Sequence, residues 1–520
     1  MQIREWDAVV IGGGAAGLSA AQMLGRARRR TLVIDAGEPR NRFAAHMHGV
    51  LGHDGVAPAE LLARGRAELD RYGVVVEAGR VDRIHDESGS LRIVRDDGAV
   101  EGARALIIAV GVRDRLPAVR GLAERWGKDV LHCPYCHGFE VADLRLGVLA
   151  TSAHSIHQIE LVRQWSEDVT AFTAAIEPLD EDVRVRLTAR GIRIVSAPVE
   201  SLVSAPDGSS AIVTADGVHP VDALFTAPEP ILDLAFADSL GLVRTEEPGM
   251  PIAVDARGAT SHPRVWAAGN VVAPYGTVPV AMGTGAMAGG SANAGLVAED
   301  AAAAVTERAR ERAAAWEQRY ADTPRTWSGR VNASLAAIAA DLAPGTALDV
   351  GCGEGGDAVW LAERGWRVTG VDVSPTALRR AQDAARERGV GDRLAVLVSD
   401  GADLPTSEEY DLVTSSFLHS WEPDFPRLTL LRQAAERVAP GGRLLVISHA
   451  APPPWTLRAH DGDGHAHGLR RPDEELAALA LEPEMWEVEL VETRTRTATG
   501  PDGAPTQLED GILLLRRRRS

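Results

Sequence analysis

Asp7-Ala-Val-Val-Ile11, Gly12-Gly-Gly14-Ala15-Ala-Gly17, a helical run to Arg28 and then Thr31-Leu-Val-Ile-Asp35 decide the fold of the first half of the chain. A short apolar run before a glycine cluster reads as a buried strand, and the pattern after it as a helix and a second strand, the βαβ start of a parallel sheet. In the G-x-G-x-x-G arrangement, Gly12 allows the tight turn, Gly14 lets the backbone approach a pyrophosphate, and Gly17 lets the helix pack on the strand. Ala15 opens a helix whose N-terminal amides then face the phosphates. Asp35 follows Gly17 by 18 residues and closes the second strand, where it is expected to accept hydrogen bonds from a ribose. Similar strand and turn series begin near 144–150 and 347–350, so the βαβ theme occurs three times.

The chain has 520 residues, which at roughly 150 residues per domain implies three to four folding units. Three cysteines cannot build a disulfide scaffold, so cysteine is read as chemistry. A formal charge of −18 argues against a nucleic-acid partner. Residues 1–24 imitate a signal peptide, but Asp7 interrupts them and their glycines fit the nucleotide pattern. Residues 281–298 are uncharged and long enough to suggest a membrane span, yet their Gly, Ala, Ser and Thr side chains would gain little from lipid. A soluble, cytoplasmic protein without membrane contact is expected. Residues 298–319 are rich in Ala, Glu and Arg without Gly or Pro, which predicts an exposed linking helix.

Cys133-Pro-Tyr-Cys136 is the most informative tetrapeptide. At a helix start, C-x-x-C brings two sulfurs within bonding reach and lowers one thiol pKa, which favours attack on a disulfide. A structural zinc site would need a second ligand pair, and Cys352 belongs to another motif. Residues 106–111, ending at Gly111, resemble the strand that closes the first FAD-binding segment of flavoproteins with two dinucleotide-binding domains. Val265-Trp-Ala-Ala-Gly269-Asn270 resembles their second FAD motif, with Asn270 standing where Asp is usual. Residues 1–300 thus resemble the low-molecular-weight thioredoxin reductases. The resemblance implies FAD, a flavin-proximal Cys136 and an interchange thiol at Cys133. The sequence departs from that family in two places. His137-Gly-Phe-Glu140 replaces the usual acid and is similar to the dithiol oxidases of gliotoxin- and holomycin-type biosynthesis, where His137 would shuttle protons. Thr151-Ser-Ala-His-Ser155 lacks the glycines of a pyridine-nucleotide loop, and no arginine pair follows residues 168–172, which places NADP(H) in doubt.

Leu348-Asp349-Val-Gly351-Cys-Gly353-Glu-Gly355 runs from a strand into a glycine loop, and Val368-Thr-Gly-Val-Asp372 ends a second strand in an acid. The wording is that of class I S-adenosylmethionine (SAM) methyltransferases. In that resemblance Asp349 orients the loop, Gly351, Gly353 and Gly355 admit the methionine part, Asp372 accepts the ribose hydroxyls and Asp400 meets the adenine amine. Residues 314–520 resemble the tellurite-resistance and thiopurine methyltransferase-like group, with a lid at 316–329 and a preference for soft acceptors. His419 is a candidate for the methyl-acceptor side. Residues 460–467 suggest either a metal cluster or a solvated loop over the substrate, and the loop is preferred. No metal is expected.

The expected architecture is α/β. A two-dinucleotide-binding-domain flavoprotein (three-layer ββα, Rossmann-like) precedes a class I methyltransferase domain. FAD binding is assigned to 1–112 and 245–300, an inserted NAD(P)-like domain with the C-x-x-C to 113–244, a helical linker to 301–313 and the methyltransferase to 314–520. The expected function is bifunctional: FAD-dependent dithiol/disulfide exchange and SAM-dependent methyl transfer, both on thiols. The alternatives are an NADPH-dependent thioredoxin reductase with an unrelated methyltransferase, and a redox sensor that switches the methyltransferase. The expected partners are a small thiol or dithiol, or a thioredoxin-like protein, and a second copy in a homodimer.

Overall fold

The opening apolar run forms β1 (Arg4–Ile11), with Ala8, Val9 and Val10 wholly buried. Continuous burial on both faces is what a central parallel strand requires. The glycine turn leads into α1 (Ala15–Arg26), and β2 (Thr31–Asp35) returns beside β1 in parallel. In this computed structural model the chain divides into two compact units, Met1–Asp300 and Ala301–Ser520. The structure describes residues 3–519, apart from 88, 205–209, 248, 400–403, 421–424, 453–468 and 500–502.

In the first unit α2 (Pro58–Asp70) precedes β3 (Val75–Ala78), β4 (Val81–Glu87), β5 (Ser90–Arg95) and β6 (Val100–Ile108). The sheet runs β3-β2-β1-β6-β5-β4, parallel from β3 to β6 and antiparallel from β6 to β4. The chain then leaves through β7 (Arg113–Arg115) into a second, five-stranded sheet. That sheet holds β8 (Val130–Leu131), β9 (Leu146–Leu149), β10 (Val169–Phe172) and β11 (Arg193–Val195). Helices α3 (Pro134–His137), α4 (Ser155–Val162) and α5 (Glu181–Ala189) lie between these strands in sequence. An antiparallel trio follows, β12 (Val199–Ser204), β13 (Ser210–Thr214) and β14 (Gly217–Val221), before β15 (Ala223–Thr226) completes the parallel order β11-β10-β9-β15-β8.

Return to the first sheet is made by β16 (Glu229–Ile231), which pairs antiparallel with β7, so the outgoing and incoming connections brace each other. Leu234, Ala237 and Leu240 already pack in the core of the first sheet. The inserted domain therefore ends near 231, ahead of the expected 244. β17 (Val265–Ala267) adds to β6 in parallel.

Next comes α6 (Val278–Asp322), 45 residues long. No break separates a linker at 301–313; one helix runs through it. The small residues at 281–298 have a packing role. A Cβ on Gly285 would stand 2.1 Å from the Ala16 carbonyl oxygen, and one on Gly289 2.4 Å from that of Ala20. Ala288, Ala292 and Leu296 are buried in the same core. Glycine is needed because backbone meets backbone there. No helix among the described residues is long and apolar enough to cross a membrane.

The second unit contains α7 (Ala333–Ala339), β18 (Thr346–Val350), α8 (Gly356–Glu363), β19 (Arg367–Asp372), α9 (Pro375–Glu387), β20 (Leu394–Val398) and β21 (Tyr410–Ser416). It continues with α10 (Arg427–Glu436), β22 (Val438–His449), α11 (Pro472–Leu479), β23 (Trp486–Thr499) and β24 (Pro505–Arg517). The sheet order is β20-β19-β18-β21-β22-β24-β23, parallel up to β22 and antiparallel beyond it. Order reversal beside β18 opens a crevice at the strand ends, where α/β sheets bind ligands.

Replacing Gly289 with Ala is expected to destabilise the first unit by roughly 1–3 kcal/mol through overpacking. Gly283→Ala, whose added Cβ has nothing within 4 Å, should be neutral or slightly stabilising, as Ala in a helix is. Denaturant midpoints followed by circular dichroism separate the two outcomes.

Candidate active sites

The first site is a cavity of about 560 Å³ at the ends of β1, β2 and β6. Gly12 has φ +106°, and a Cβ there would lie 2.4 Å from the Ala109 carbonyl oxygen. At Gly17 it would lie 1.8 Å from the Gly12 carbonyl oxygen, which is the close packing the motif demands. Gly14 differs: nothing lies within 4 Å of its virtual Cβ, so the space over the first turn of α1 is free. No side chain caps that turn and no acid stands in it. Ala15 lines the same cavity. Open amides over an open space suit a phosphate, and the residues present fit a dinucleotide such as FAD.

Asp35 lines the cavity with one oxygen taken by the Gly13 amide, 3.0 Å, and the other by Arg66, 2.6 Å. It stays anchored with little freedom of its own. Gly111 (φ +69°) and Gly269 (φ +77°) turn the chain along the far wall. Asn270 donates its amide hydrogens to the carbonyls of Ala273 and Gly276, both at 2.9 Å. It shapes the 273–276 turn and lines the cavity. Arg40 ion-pairs Asp114 at 2.6 Å and donates to the Pro274 carbonyl, joining three loops around the cavity.

Cys133, Cys136 and His137 line this same cavity. Cys133 is the N-cap of α3, with Pro134 at N1. Proline suits that position because its missing N–H would be unpaired anyway. The Cys136 thiol donates to Cys133, and the amides of Cys136 and Tyr135 also point at it, so the Cys133 pKa falls to about 7. The same hydrogen bond and burial push the Cys136 thiol well up. Cys133 is the thiolate of the reduced pair and Cys136 keeps its proton.

Burial lowers the pKa of His137, with Glu140 opposing and His48 reinforcing the shift. His137 is therefore neutral near pH 7 and able to accept a proton. His48 bridges Glu140 at 3.4 Å and Asp54 at 3.3 Å. Burial also holds His132 down to about 4, with Arg40 adding to it. The approach to α3 is fixed by Gln158, which donates to the His132 carbonyl at 2.7 Å, and by Trp165, whose ring stands edge-on to Tyr135. Trp165 also lies where a Cβ on Gly138 would be, 2.8 Å away.

In the inserted sheet, the turn after β9 is closed on itself. Ser155, fully buried, accepts from the amides of Thr151 (3.0 Å) and Ser152 (3.4 Å). Those are the amides that a glycine loop would turn to a pyrophosphate. After β10, Glu177 accepts from Thr173, Ser196 and the Leu179 amide and pairs with Arg184. That acid, paired with Arg184, closes the turn after β10.

The second site is a cavity of about 1360 Å³ in the second unit. Gly351, Gly353 and Gly355 all have positive φ, from +51° to +81°, so the loop after β18 needs glycine. Asp372 accepts from the Gly353 amide at 2.9 Å and the Ser374 amide at 3.0 Å. Asp349 accepts from Thr414 at 3.0 Å, while its other oxygen is buried with no partner. Burial raises the Asp349 pKa to about 8, and the nearby acids Asp357 and Asp372 add to it. Asp357 and Asp372 are themselves raised by burial. A cation placed beside these buried acids would favour their ionised forms. The ammonium and sulfonium of SAM supply positive charge, so these residues fit it. Asp400 and residues 460–467 lie outside the described residues.

Two acids unnoticed in the sequence hold the segment expected to form a lid, 316–329. Glu354 accepts from the Thr326 and Trp327 amides and pairs with Arg380. Glu317, on α6, accepts from Ser374 and Thr376. A charged residue between Gly353 and Gly355 was the available signal for the first; nothing local marks the second. His419 lines the cavity, but its Nε2 accepts from the His449 amide at 3.2 Å. Burial drives its pKa down to about 3, with Arg427 and His449 contributing. It is neutral, with its one ring lone pair occupied.

A family model described as "Pyridine nucleotide-disulphide oxidoreductase" matches residues 6–285, and one described as "Methyltransferase domain" matches residues 347–442. Thioredoxin reductase sirT of Leptosphaeria maculans is 33% identical over 316 residues, covering 57% of this chain and 96% of its own. Thioredoxin reductase tcpT of Claviceps purpurea is 32% identical over 305 residues, covering 56% and 95%. The crystal structure of HlmI is 42% identical, with a TM-score of 0.55, covering 59% of this chain and 96% of that one.

Alkylation of the reduced protein by iodoacetamide should rise with pH about a midpoint near 7, reporting Cys133. In Cys136→Ala the midpoint should climb toward the free-cysteine value of about 8.5, because the stabilising donor is gone. In the second site, Asp349 is protonated at neutral pH without a cation and must ionise to hold one. SAM affinity should therefore increase as pH rises through neutrality and level off above about 8. Calorimetry at several pH values should find the slope flattened in Asp349→Asn.

Proposed function

We propose, for a chain that belongs to the pyridine nucleotide-disulphide oxidoreductase family, that its two halves both work on thiols. The chain carries a thioredoxin reductase-like oxidoreductase domain followed by a methyltransferase domain. In our reading the first oxidises a dithiol to a disulfide and the second S-methylates a thiol. When bound, FAD supplies a two-electron acceptor and SAM an electrophilic methyl group.

The observation that carries the first part is the pairing of Cys133 with Cys136 beside a neutral His137. A substrate thiol gives its proton to His137, and its sulfur attacks Cys133 of the oxidised pair. The S–S bond to Cys136 breaks and a mixed disulfide forms. Cys136 leaves as a thiolate and takes the proton from His137. The second substrate thiol then gives its proton to the freed His137, which passes it to solvent, while its sulfur displaces Cys133 and the product leaves as a disulfide. The reduced pair remains as Cys133 thiolate and Cys136 thiol, poised for reoxidation. The low pKa of Cys133 makes it a good leaving group in that second displacement.

The closed turn at Thr151, Ser152 and Ser155, with Glu177 beyond β10, favours a dithiol over NADPH as the electron source. For the second half, the acids Asp349, Asp357 and Asp372 support binding of a cationic methyl donor. Positioning and exclusion of water are then the main demands on the protein. Thiols as acceptors join the two halves into one substrate class.

One anaerobic titration tests the electron source. Small dithiols should bleach the flavin absorbance within seconds, whereas NADPH and NADH should leave it nearly unchanged. Rapid bleaching by NADPH would overturn the dithiol reading in favour of a pyridine-nucleotide-dependent reductase. Methyl transfer to amines or hydroxyls as good as to thiols would break the link between the halves.

A further inference from the structure

We propose that His449 is the proton acceptor for methyl transfer, with Asp510 as its positioning residue, and that the acceptor it serves enters as a neutral thiol. This rests on the thiol reading above and names a residue pair that performs it. His449 ends β22, and in the antiparallel ladder it stands directly opposite Asp510 on β24. Partners in such a ladder project to the same face. His449 Nδ1 and Asp510 Oδ1 face each other across 3.6 Å, and neither has a hydrogen-bond partner. Asp510 is 1% exposed, and its other oxygen is held by Arg496 at 2.5 Å. A buried carboxylate behind one ring nitrogen sets the tautomer and supports the charged ring once it forms.

Phe417 stacks on the His449 ring at 4.4 Å between centroids, and His419 stacks on it at 5.5 Å. Phe417, His419, His449 and Arg496 all line the second cavity. His419 cannot take the proton, because its Nε2 already accepts from the His449 amide. The Nε2 of His449 has no hydrogen-bond partner among the described residues. The charged and titratable groups around the pair are Asp510 on β24, Arg496 on β23, His419 after β21, Arg427 on α10 paired with Glu475 on α11, and Arg470.

In the step itself, the acceptor S–H bond breaks and its proton passes to His449 Nε2. The electron pair left on sulfur forms the new S–C bond to the methyl carbon. The bond from that carbon to the sulfonium breaks, and its electron pair stays on the departing thioether sulfur. The imidazolium is held against Asp510 and later returns its proton to water. An acceptor that arrives already ionised needs none of this.

The test compares a matched pair of acceptors on the full-length protein, an alkyl thiol that is protonated at the assay pH and an aryl thiol that is ionised. His449→Gln should lower kcat/KM by about 100-fold for the alkyl thiol and by less than about threefold for the aryl thiol, the range of a lost general base. Asp510→Asn should move the acidic limb of the alkyl-thiol pH profile to lower pH. Independently of turnover, ultraviolet absorbance of the thiolate should appear when the alkyl thiol binds the wild-type complex with S-adenosylhomocysteine, and not the His449→Gln complex. Equal losses for both acceptors, no loss for either, or thiolate formation without His449 would overturn the assignment. Whether wild-type enzyme prefers thiols over amine and hydroxyl analogues tests the substrate class separately. If another class is preferred, the position-449 comparison is read on protonated and ionised acceptors of that class.

Discussion

A virtual Cβ on Gly17 stands 1.8 Å from a backbone oxygen, and ones on Gly285 and Gly289 stand 2.1 and 2.4 Å from others. Helix α1 is thus gripped on two sides, by the turn that launches it and by α6 lying along it, with no side chain between. Interiors are packed at crystal-like density, so contacts of this kind leave no room for adjustment. The consequence reaches the redox centre. Only with α1 seated against β1 does its uncapped first turn open onto the cavity that Cys133, Cys136 and His137 also line.

The two sites manage charge in opposite ways. Around the cysteines, hydrogen bonds from Cys136 and from two amides settle negative charge on one sulfur, while burial keeps His132 and His137 neutral. Around Asp349 the protein gathers acids whose pKa values burial raises, so a positive ligand beside them favours their ionised forms. A cationic donor is the chemical match for the acids.

Much of this was legible in the chain itself, and the reason is locality. Gly12, Gly14, Asp35, the Cys133/Cys136 pair, Asp349 and Asp372 are coded by short spacings at strand ends, and each lines one of the two cavities, while Gly17 packs the helix behind the first. The uncharged stretch 281–298 was ambiguous until its partner was known, because small residues serve both a tight helix contact and an unremarkable surface. The stretch 301–313 is helical, but composition marked neither end of the helix, which runs from Val278 to Asp322. Glu317, Glu354 and the His449–Asp510 pair could not be read, since their partners lie from 26 to 61 residues away and meet only in the folded chain. His419 drew notice as a histidine following a strand, whereas its ring is committed to the amide of His449.

The anchoring of α6 bears on how the chain is made. The first unit is complete when Asp300 leaves the ribosome, and its core already includes Leu296. The helix, however, continues to Asp322, and Glu317 must wait 57 and 59 residues for Ser374 and Thr376. Arg380, which ties Glu354 and the carbonyls of Tyr320 and Thr323, emerges later still. Domains generally fold in order of synthesis. The last turns of α6 are therefore born without their partners, and vectorial translation separates completion of the oxidoreductase unit from assembly of the contacts that hold residues 317–327.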